Sequence, residues 1–366
     1  MIEVGSIAAI ASQGELHMSA NDQTMITALA QASAAAHPVP DRGHVNNFIT
    51  DAELQQLLAL YLPTDLYAHL QPYFERMGEL AGGAVDDWAL EADRNPPTLE
   101  MRSRSGKEVQ RIVKHPAYVE MEKVAYQQFG LAAISHREDM LGWKGKMPPI
   151  VKYALTYLFV QSEFGLCCPL SMTDSLTRTL KKYGEQKLVE KYLPQLLSMD
   201  FDASVQGSMF MTEQAAGSDI SNTLTMAYPQ EDGSWRLYGE KWFCSNPDAG
   251  FGMVLARVDG GPPGMMGISL LLRPRQRDDG GTNHYQIVRL KDKMGTRSMA
   301  SGEIRMDGAI AYLVGEQGRG FVQIADMVNN SRLSNGMRSA GMMRRAVAEA
   351  EFIARERWAF KHRLQD

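Results

Sequence analysis

Cysteine is scarce in this chain: Cys167, Cys168 and Cys244 are the only three among 366 residues. Their spacing fits no zinc-ligand pattern, and adjacent cysteines rarely close a disulfide on each other, so neither a disulfide scaffold nor a metal site is expected. Three structural thiols and a reducing, cytoplasmic location follow as expectations. Long apolar runs are also missing. No stretch approaches the roughly 20 residues that a membrane helix needs, so no membrane insertion is expected. Residues 2–11 lack the basic n-region of a secretory leader and carry Glu3. Basic residues are rare at the start, with three Lys/Arg against fourteen Asp/Glu in the first 100 residues and 35 against 29 in the rest. That downstream surplus suits a partner bearing phosphates, whether a dinucleotide, coenzyme A or a nucleic acid. Charge alone does not choose among them.

What is present is ordinary soluble composition, 44% hydrophobic and 22% charged, and length enough for two or three domains. The first 45 residues are small and polar (Gln31–Pro40 reads QASAAAHPVP) and form an expected flexible arm. Residues 46–205 carry helical periodicity. Thr50 and Glu53 have capping-box spacing, and Leu54, Leu57, Leu58 and Tyr61 then share one face, so a helix is expected to start at Thr50. Similar periods recur over Leu66–Leu80, Glu108–Phe129, Pro149–Phe164 and Glu185–Leu197, while the proline pairs Pro96–Pro97 and Pro148–Pro149 read as loops.

Near Gln206 the period changes. Thr223–Tyr228 and Trp235–Cys244 flank the hairpin turn Glu231-Asp232-Gly233. Met253–Val258, Gly267–Leu272, Tyr285–Leu290, Gly302–Met306 and Ala309–Val314 follow at the spacing of a sandwich or barrel. Residues 206–316 are therefore expected to be a middle β domain. After Gly318-Arg319-Gly320 the helical pattern returns, and residues 317–366 read as the truncated start of a C-terminal helical domain, too short to close a bundle alone. The fold class is multidomain α+β.

Two segments carry chemistry. Met211-Thr212-Glu213-Gln214-Ala215-Ala216-Gly217-Ser218-Asp219 closes a strand with small residues and hydroxyls, a composition that lets backbone amides approach a phosphate. Gly239-Glu240-Lys241-Trp242-Phe243-Cys244-Ser245-Asn246 sets aromatics beside a hydroxyl at another strand end. Taken singly, the first is also what a polar turn presents and the second what an aromatic core pair presents.

In this order and spacing, the two segments resemble the flavin-contacting motifs of the acyl-CoA dehydrogenase family. Lys291-Asp292-Lys293-Met294-Gly295-Thr296-Arg297-Ser298, Ser301-Gly302-Glu303-Ile304 and Arg355-Glu356-Arg357-Trp358-Ala359-Phe360 are similar to later stretches of that family. Upstream, Asn95-Pro96-Pro97, His115-Pro116-Ala117-Tyr118 and the acidic lead-in resemble its AidB-like branch of alkylation-response flavoproteins. The resemblance implies an acyl-CoA dehydrogenase-like fold whose middle domain binds FAD. It implies that Met209, Met211 and Thr212 contact the cofactor, with Thr212 at the isoalloxazine edge, and that Gly217 and Ser218 hold the pyrophosphate. Phe243 and Cys244 would line the ring and Ser245 would lie near its reactive nitrogen. Phe243 stands where many members carry tryptophan. Arg357 and Phe360 would reach the adenine half of FAD on a neighbouring subunit, implying a homodimer or homotetramer, and Ser218 and Arg332 would face the acyl-CoA substrate.

The implied reaction removes an α-proton from an acyl thioester while flavin takes the β-hydride and passes electrons to an electron-transfer flavoprotein. No residue is assigned as catalytic base. One family position for the glutamate lies in a C-terminal half that this chain does not contain, and the other corresponds approximately to Ser331, which is no carboxylate. Glu316, in a glycine-rich turn, reads as a surface residue. A second reading is a DNA-associated, AidB-like flavoprotein with vestigial dehydrogenase activity, with Arg338, Arg344, Arg345 and Arg355 as its phosphate-binding surface. The net charge of −5 speaks against this chain alone gripping DNA. A third treats the chain as a cofactor-free scaffold.

Overall fold

The computed structural model describes residues 24–27, 41–359 and 362–366. It divides into two units, Gly43–Ala348 and the pair of segments Met1–Arg42 and Glu349–Asp366. Most of the arm expected over residues 1–45 lies outside the described residues.

Helices α1 (Ala52–Tyr61), α2 (Thr64–Ala81) and α3 (Ala84–Arg94) open the larger unit. The cap of α1 is Asp51, not Thr50: its carboxylate accepts from Leu54 N at 3.0 Å, while the Thr50 hydroxyl donates back to Asn46 O. The carboxylate prevails because it serves three partners, receiving also the Tyr157 hydroxyl at 3.1 Å and Arg344 Nε at 3.3 Å. The helix expected over Glu108–Phe129 is in its first third a strand. β1 (Thr98–Arg102) and β2 (Glu108–Val113) form an antiparallel hairpin, and α4 (Pro116–Glu122) begins only after it, continuing as a π-turn over Lys123–Gln128. Ile112 explains the difference, since it buries in the β-domain core and thereby fixes the period of its segment at two.

Helices α5 (Pro149–Val160), α6 (Cys167–Tyr183) and α7 (Gln186–Leu196) follow. Pro149 is not a loop residue; it occupies the first turn of α5, where its missing N–H leaves nothing unsatisfied. The periodicity of α6 is obscured by buried hydroxyl residues. Thr173 and Thr177 reconcile polarity with burial by donating to the carbonyls of Pro169 and Thr173, each at 2.8 Å.

The β domain comprises β3 (Gly207–Phe210), β4 (Met226–Pro229), β5 (Trp235–Ser245), β6 (Phe251–Val258), β7 (Ile268–Pro274), β8 (Tyr285–Leu290) and β9 (Ser301–Leu313). Pairing runs β6–β4–β5–β9–β7 and returns to β6, a closed ring, with β3 added parallel to β6 and β8 antiparallel to β9. The two strands expected over Gly302–Met306 and Ala309–Val314 are one bulged strand. Gly308 sits at the bulge with φ 79°, a conformation that glycine adopts without strain. Strand alternation splits β6 between two cores: Val254 and Ala256 face the ring interior with Phe210, Ile287 and Ile304, while Met253 and Leu255 pack outward with Leu176, Leu180 and Ile324.

Helix α8 (Gly320–Glu356) packs its Ile324 and Met327 on that outer core. Further along, a side chain at Gly341 would fall 2.5 Å from Val160 Cγ1, so glycine is what lets α8 approach α5. In the smaller unit, β10 (Trp358–Ala359) pairs antiparallel with β11 (His362–Arg363). Among the described residues no helix is long and apolar enough to cross a membrane.

Candidate functional site

Strand β3 delivers Met211 and Thr212 to the end of the β ring, and β5 delivers Trp242–Ser245 to the same place. The two segments are joined directly: Trp242 N donates to Thr212 O at 2.8 Å, and Lys241 Nζ donates to Met211 O at 3.2 Å. Beneath them Lys241 Nζ lies 2.6 Å from Glu213 Oε1, both side chains buried. Glu213 also accepts from Leu224 N, Thr225 N and the Thr225 hydroxyl. Burial pushes the Glu213 carboxyl upward, but the Lys241 charge and these bonds outweigh it and hold the group below the usual carboxylate range. Burial is also the largest influence on Lys241, which it draws down against the pull of Glu213. With four donors on the carboxylate, the ionised pair is the state the geometry favours.

Above this anchor the loop reverses through reciprocal bonds between Glu213 and Ala216, N–H to carbonyl in both directions. Gly217 and Ser218 follow, both exposed, and no atom stands within 4 Å of where a side chain on Gly217 would begin. Met209 and Met211 are half-buried against the outer core. A bulge between Lys241 and Cys244 breaks the alternation of β5, leaving Phe243 outward, 62% exposed, and Cys244 inward, 1% exposed among the ring core. The Cys244 thiol is pushed up to about 12 by that burial, so on the outer side the strand presents its backbone at this position. Lys291 Nζ lies 3.3 Å from the Trp242 ring centroid and 4.6 Å from that of Phe243, while also pairing with Glu303.

Ser245 is opposite Ser301 in the β5–β9 register. Around it gather groups that sequence reasoning left without a role. Cys168, at the start of α6, has its thiol raised by burial, against Arg338 and a hydrogen bond with Ser245. Lys293 Nζ donates to Met299 O at 2.5 Å and Ser301 Oγ at 3.2 Å, and its desolvation lowers its pKa. Glu163 is buried and raised by desolvation, while accepting from Leu166 N at 2.9 Å and the Ser298 hydroxyl at 3.1 Å, so it pins the start of α6 to the loop carrying Lys293. Pro169 in the first turn was a usable signal that Cys168 opens a helix; nothing in the sequence pointed it at Ser245.

The remaining site residues stand apart. Arg332 is exposed on α8 and donates to Asn329 Oδ1 at 3.2 Å, with no bond to either motif among the described residues. Arg357 belongs to the smaller unit, where its carbonyl accepts from Leu364 N, and Phe360 lies outside the described residues. The arginines of the DNA-associated reading are largely engaged: Arg338 is 3% exposed, Arg344 pairs with Asp51 and Arg345 with Asp86. Arg344 and Arg345 tie α8 to the N-terminal helices, while Arg338 bonds Ser334 O of its own helix and lies over the Phe164 ring.

A closed β ring following a helical region, with two strand ends joined at its rim, is the architecture of the acyl-CoA dehydrogenase fold, and the sequence comparisons agree. Residues 38–203 match the adaptive response protein AidB N-terminal domain, and residues 208–309 match the acyl-CoA dehydrogenase middle domain. The chain belongs to the acyl-CoA dehydrogenase family, and its N-terminal region has the AidB form.

It is 32% identical to AidB of Escherichia coli over 284 residues, 75% of this chain and 50% of that protein. The structure of Bd2924 in its apo form superposes with TM-score 0.83 at 34% identity, covering 90% of this chain and 66% of that one. ACDH-11 of Caenorhabditis elegans, solved in complex with C11-CoA, superposes with TM-score 0.81 at 28% identity, covering 90% and 56%. The chain spans about half the length of the curated relatives it matches.

Proposed function

We propose that the chain is the flavin-binding part of an FAD-dependent acyl-CoA dehydrogenase that carries out α,β-dehydrogenation of an acyl thioester. The observation that carries this reading is the Trp242 N–Thr212 O bond, which fixes a hydroxyl-bearing loop against an aromatic strand end. The residues fit the cofactor. Open space over Gly217 and the exposed Ser218 leave room for a pyrophosphate at backbone amides, and the outward Phe243 offers a bare apolar ring for a flat partner.

In this reading Thr212 and Ser245 orient the isoalloxazine through their hydroxyls, Met209 and Met211 line its approach, and Phe243 and the Cys244 backbone cover one side. Gly217 and Ser218 hold the pyrophosphate, and Ser218 with Arg332 meets the acyl-CoA. Arg357 and Phe360 would serve the adenine half on a second copy, in a homodimer or homotetramer. FAD supplies the acceptor for the hydride that leaves the β-carbon, and an electron-transfer flavoprotein would reoxidise it. Removal of the α-proton needs a carboxylate base, and none is assigned here; Ser331 cannot serve. The bound C11-CoA of ACDH-11 supports an acyl-CoA as substrate class.

The test is a visible spectrum of the purified chain during FAD titration, followed by anaerobic addition of a panel of acyl-CoA thioesters. Retained flavin whose absorbance is perturbed or bleached by a thioester supports the reading. A protein that takes up no FAD overturns it.

A further inference from the structure

Away from the motifs, a cleft of about 720 Å3 opens between the start of α5, the turn at Ser135–His136, the second half of α6 and the first turns of α8. Its floor is built and rigid. Buried Asp174 accepts from His136 Nε2 at 2.8 Å, Lys152 Nζ at 2.9 Å and Asn330 Nδ2 at 2.8 Å, and Asn330 donates again to Ser175 Oγ at 2.7 Å. Three segments therefore meet on one carboxylate.

The charges around the cleft do not cancel. Lys152, Arg178, Lys181 and Lys182 line it against Asp174 and Asp326. Lys152 is held by Asp174 and Lys182 by Asp326, which also accepts from the Tyr183 hydroxyl. Arg178 and Lys181 make no hydrogen bond or ion pair with any described residue; the Arg178 charge acts on Asp326, which Lys182 already pairs, so the lining carries two more cations than carboxylates. Lys181 belongs to the last turn of α6, where the helix dipole favours a cation; Arg178 lies further in and has no such reason. The lining is also partly apolar, with Met147, Tyr153 and Leu333. On α8 the lining residues Asp326, Asn329, Asn330 and Leu333 follow helical spacing on one face, and Ser331 and Arg332 point off it.

We propose that this cleft binds a phosphate monoester of a small, partly apolar molecule, with the phosphoryl group between Arg178 and Lys181 and the body against Tyr153 and Leu333. Two cations without a direct partner, and an excess of two positive charges in the lining, match a dianion, whereas a monocarboxylate would leave one of them unpaired. A guanidinium fork beside an ammonium is suited to tetrahedral oxygens. A polynucleotide is a poorer fit, because the other two lysines are already committed to carboxylates. The proposal does not depend on FAD.

Calorimetric titration of the chain with phenyl phosphate, with benzoate as the monoanionic control, tests it. The expected result is saturable one-to-one binding of phenyl phosphate, about tenfold or more tighter than benzoate, and weakened at least about tenfold in the double variant R178A/K181A. Both positions are exposed, and circular dichroism would confirm that the variant folds. The charge-conserving R178K/K181R double variant should retain most of the affinity. Absence of saturable binding, equal affinity in R178A/K181A, or equal affinity for benzoate overturns the proposal. So does binding seen only with single-stranded DNA, with a steep salt dependence.

Discussion

Lys241 and Glu213 face each other at 2.6 Å inside the β domain, one from the centre of β5 and the other from the first turn of the loop after β3. The pair is therefore a brace for the rim, since the same ammonium donates to Met211 O and the same carboxylate collects the backbone of residues 224 and 225. Removing one partner leaves the other buried and uncompensated. Glu213→Gln should destabilise the chain by about 3–5 kcal/mol, read as a shift of the urea midpoint at neutral pH. Because the native Glu213 carboxyl is held low, its stabilisation is complete above the ordinary carboxylate pKa and is lost as pH falls through the native value. The gap between wild type and variant should narrow in acid, and a gap independent of pH would argue against an ionised pair.

The flavin assignment predicts separate losses at two hydroxyls. Thr212→Val removes a ring-edge donor while leaving the Thr212 carbonyl, and so the bond from Trp242, in place. Ser218→Phe fills the open space beside Gly217. Each should weaken FAD binding by about 1–3 kcal/mol, roughly 5-fold to 150-fold in a fluorescence titration. Undiminished affinity in both variants would detach the cofactor from this rim.

How much of this was legible beforehand depends on the element. The β strands announced themselves because β6 and β7 are apolar on both faces while β5, β8 and β9 set core residues between exposed ones, and the Glu231-Asp232-Gly233 turn between β4 and β5 is local chemistry. Strand β2 falls within a segment of helical periodicity because Ile112 takes its period from a core that begins about a hundred residues downstream, a tertiary effect that no local window contains. Helix α6 was missed for the converse reason: Thr173 and Thr177 hide their polarity in bonds to their own helix. At the site, the two motifs were readable as a pair. The convergence of Cys168, Lys293 and Glu163 near Ser245 was not, since they come from three separate stretches of chain.

The displaced cap of α1 gives a direct contrast between neighbours. Among the described residues Thr50→Ala removes one exposed side-chain bond, to Asn46 O, and should change stability by less than about 0.5 kcal/mol. Asp51→Ala removes the cap and leaves Arg344 without its nearer buried carboxylate. The loss should reach about 2–4 kcal/mol in thermal or urea unfolding. Equal losses at the two positions would restore Thr50 as the cap.

Asp174 supplies the last prediction, and its sign follows from its partners. Burial alone would raise its carboxyl, but the His136 bond and the Lys152 charge outweigh it and bring the group down from 3.8 to about 2. The folded chain thus holds this proton less tightly than the unfolded chain, so the group stabilises the fold above about pH 4, and that contribution fades between about pH 4 and 2. Asp174→Asn keeps the shape and removes the charge, and it should lower stability by about 2 kcal/mol at pH 7. The decisive measurement is the urea midpoint of both proteins at pH 7 and at the lowest pH where each still folds. The difference should shrink in acid as the wild-type carboxyl takes up its proton. If it stays constant, the carboxylate is not what joins α5, α6 and α8, and the floor of the cleft owes its rigidity to Asn330 and Ser175 instead.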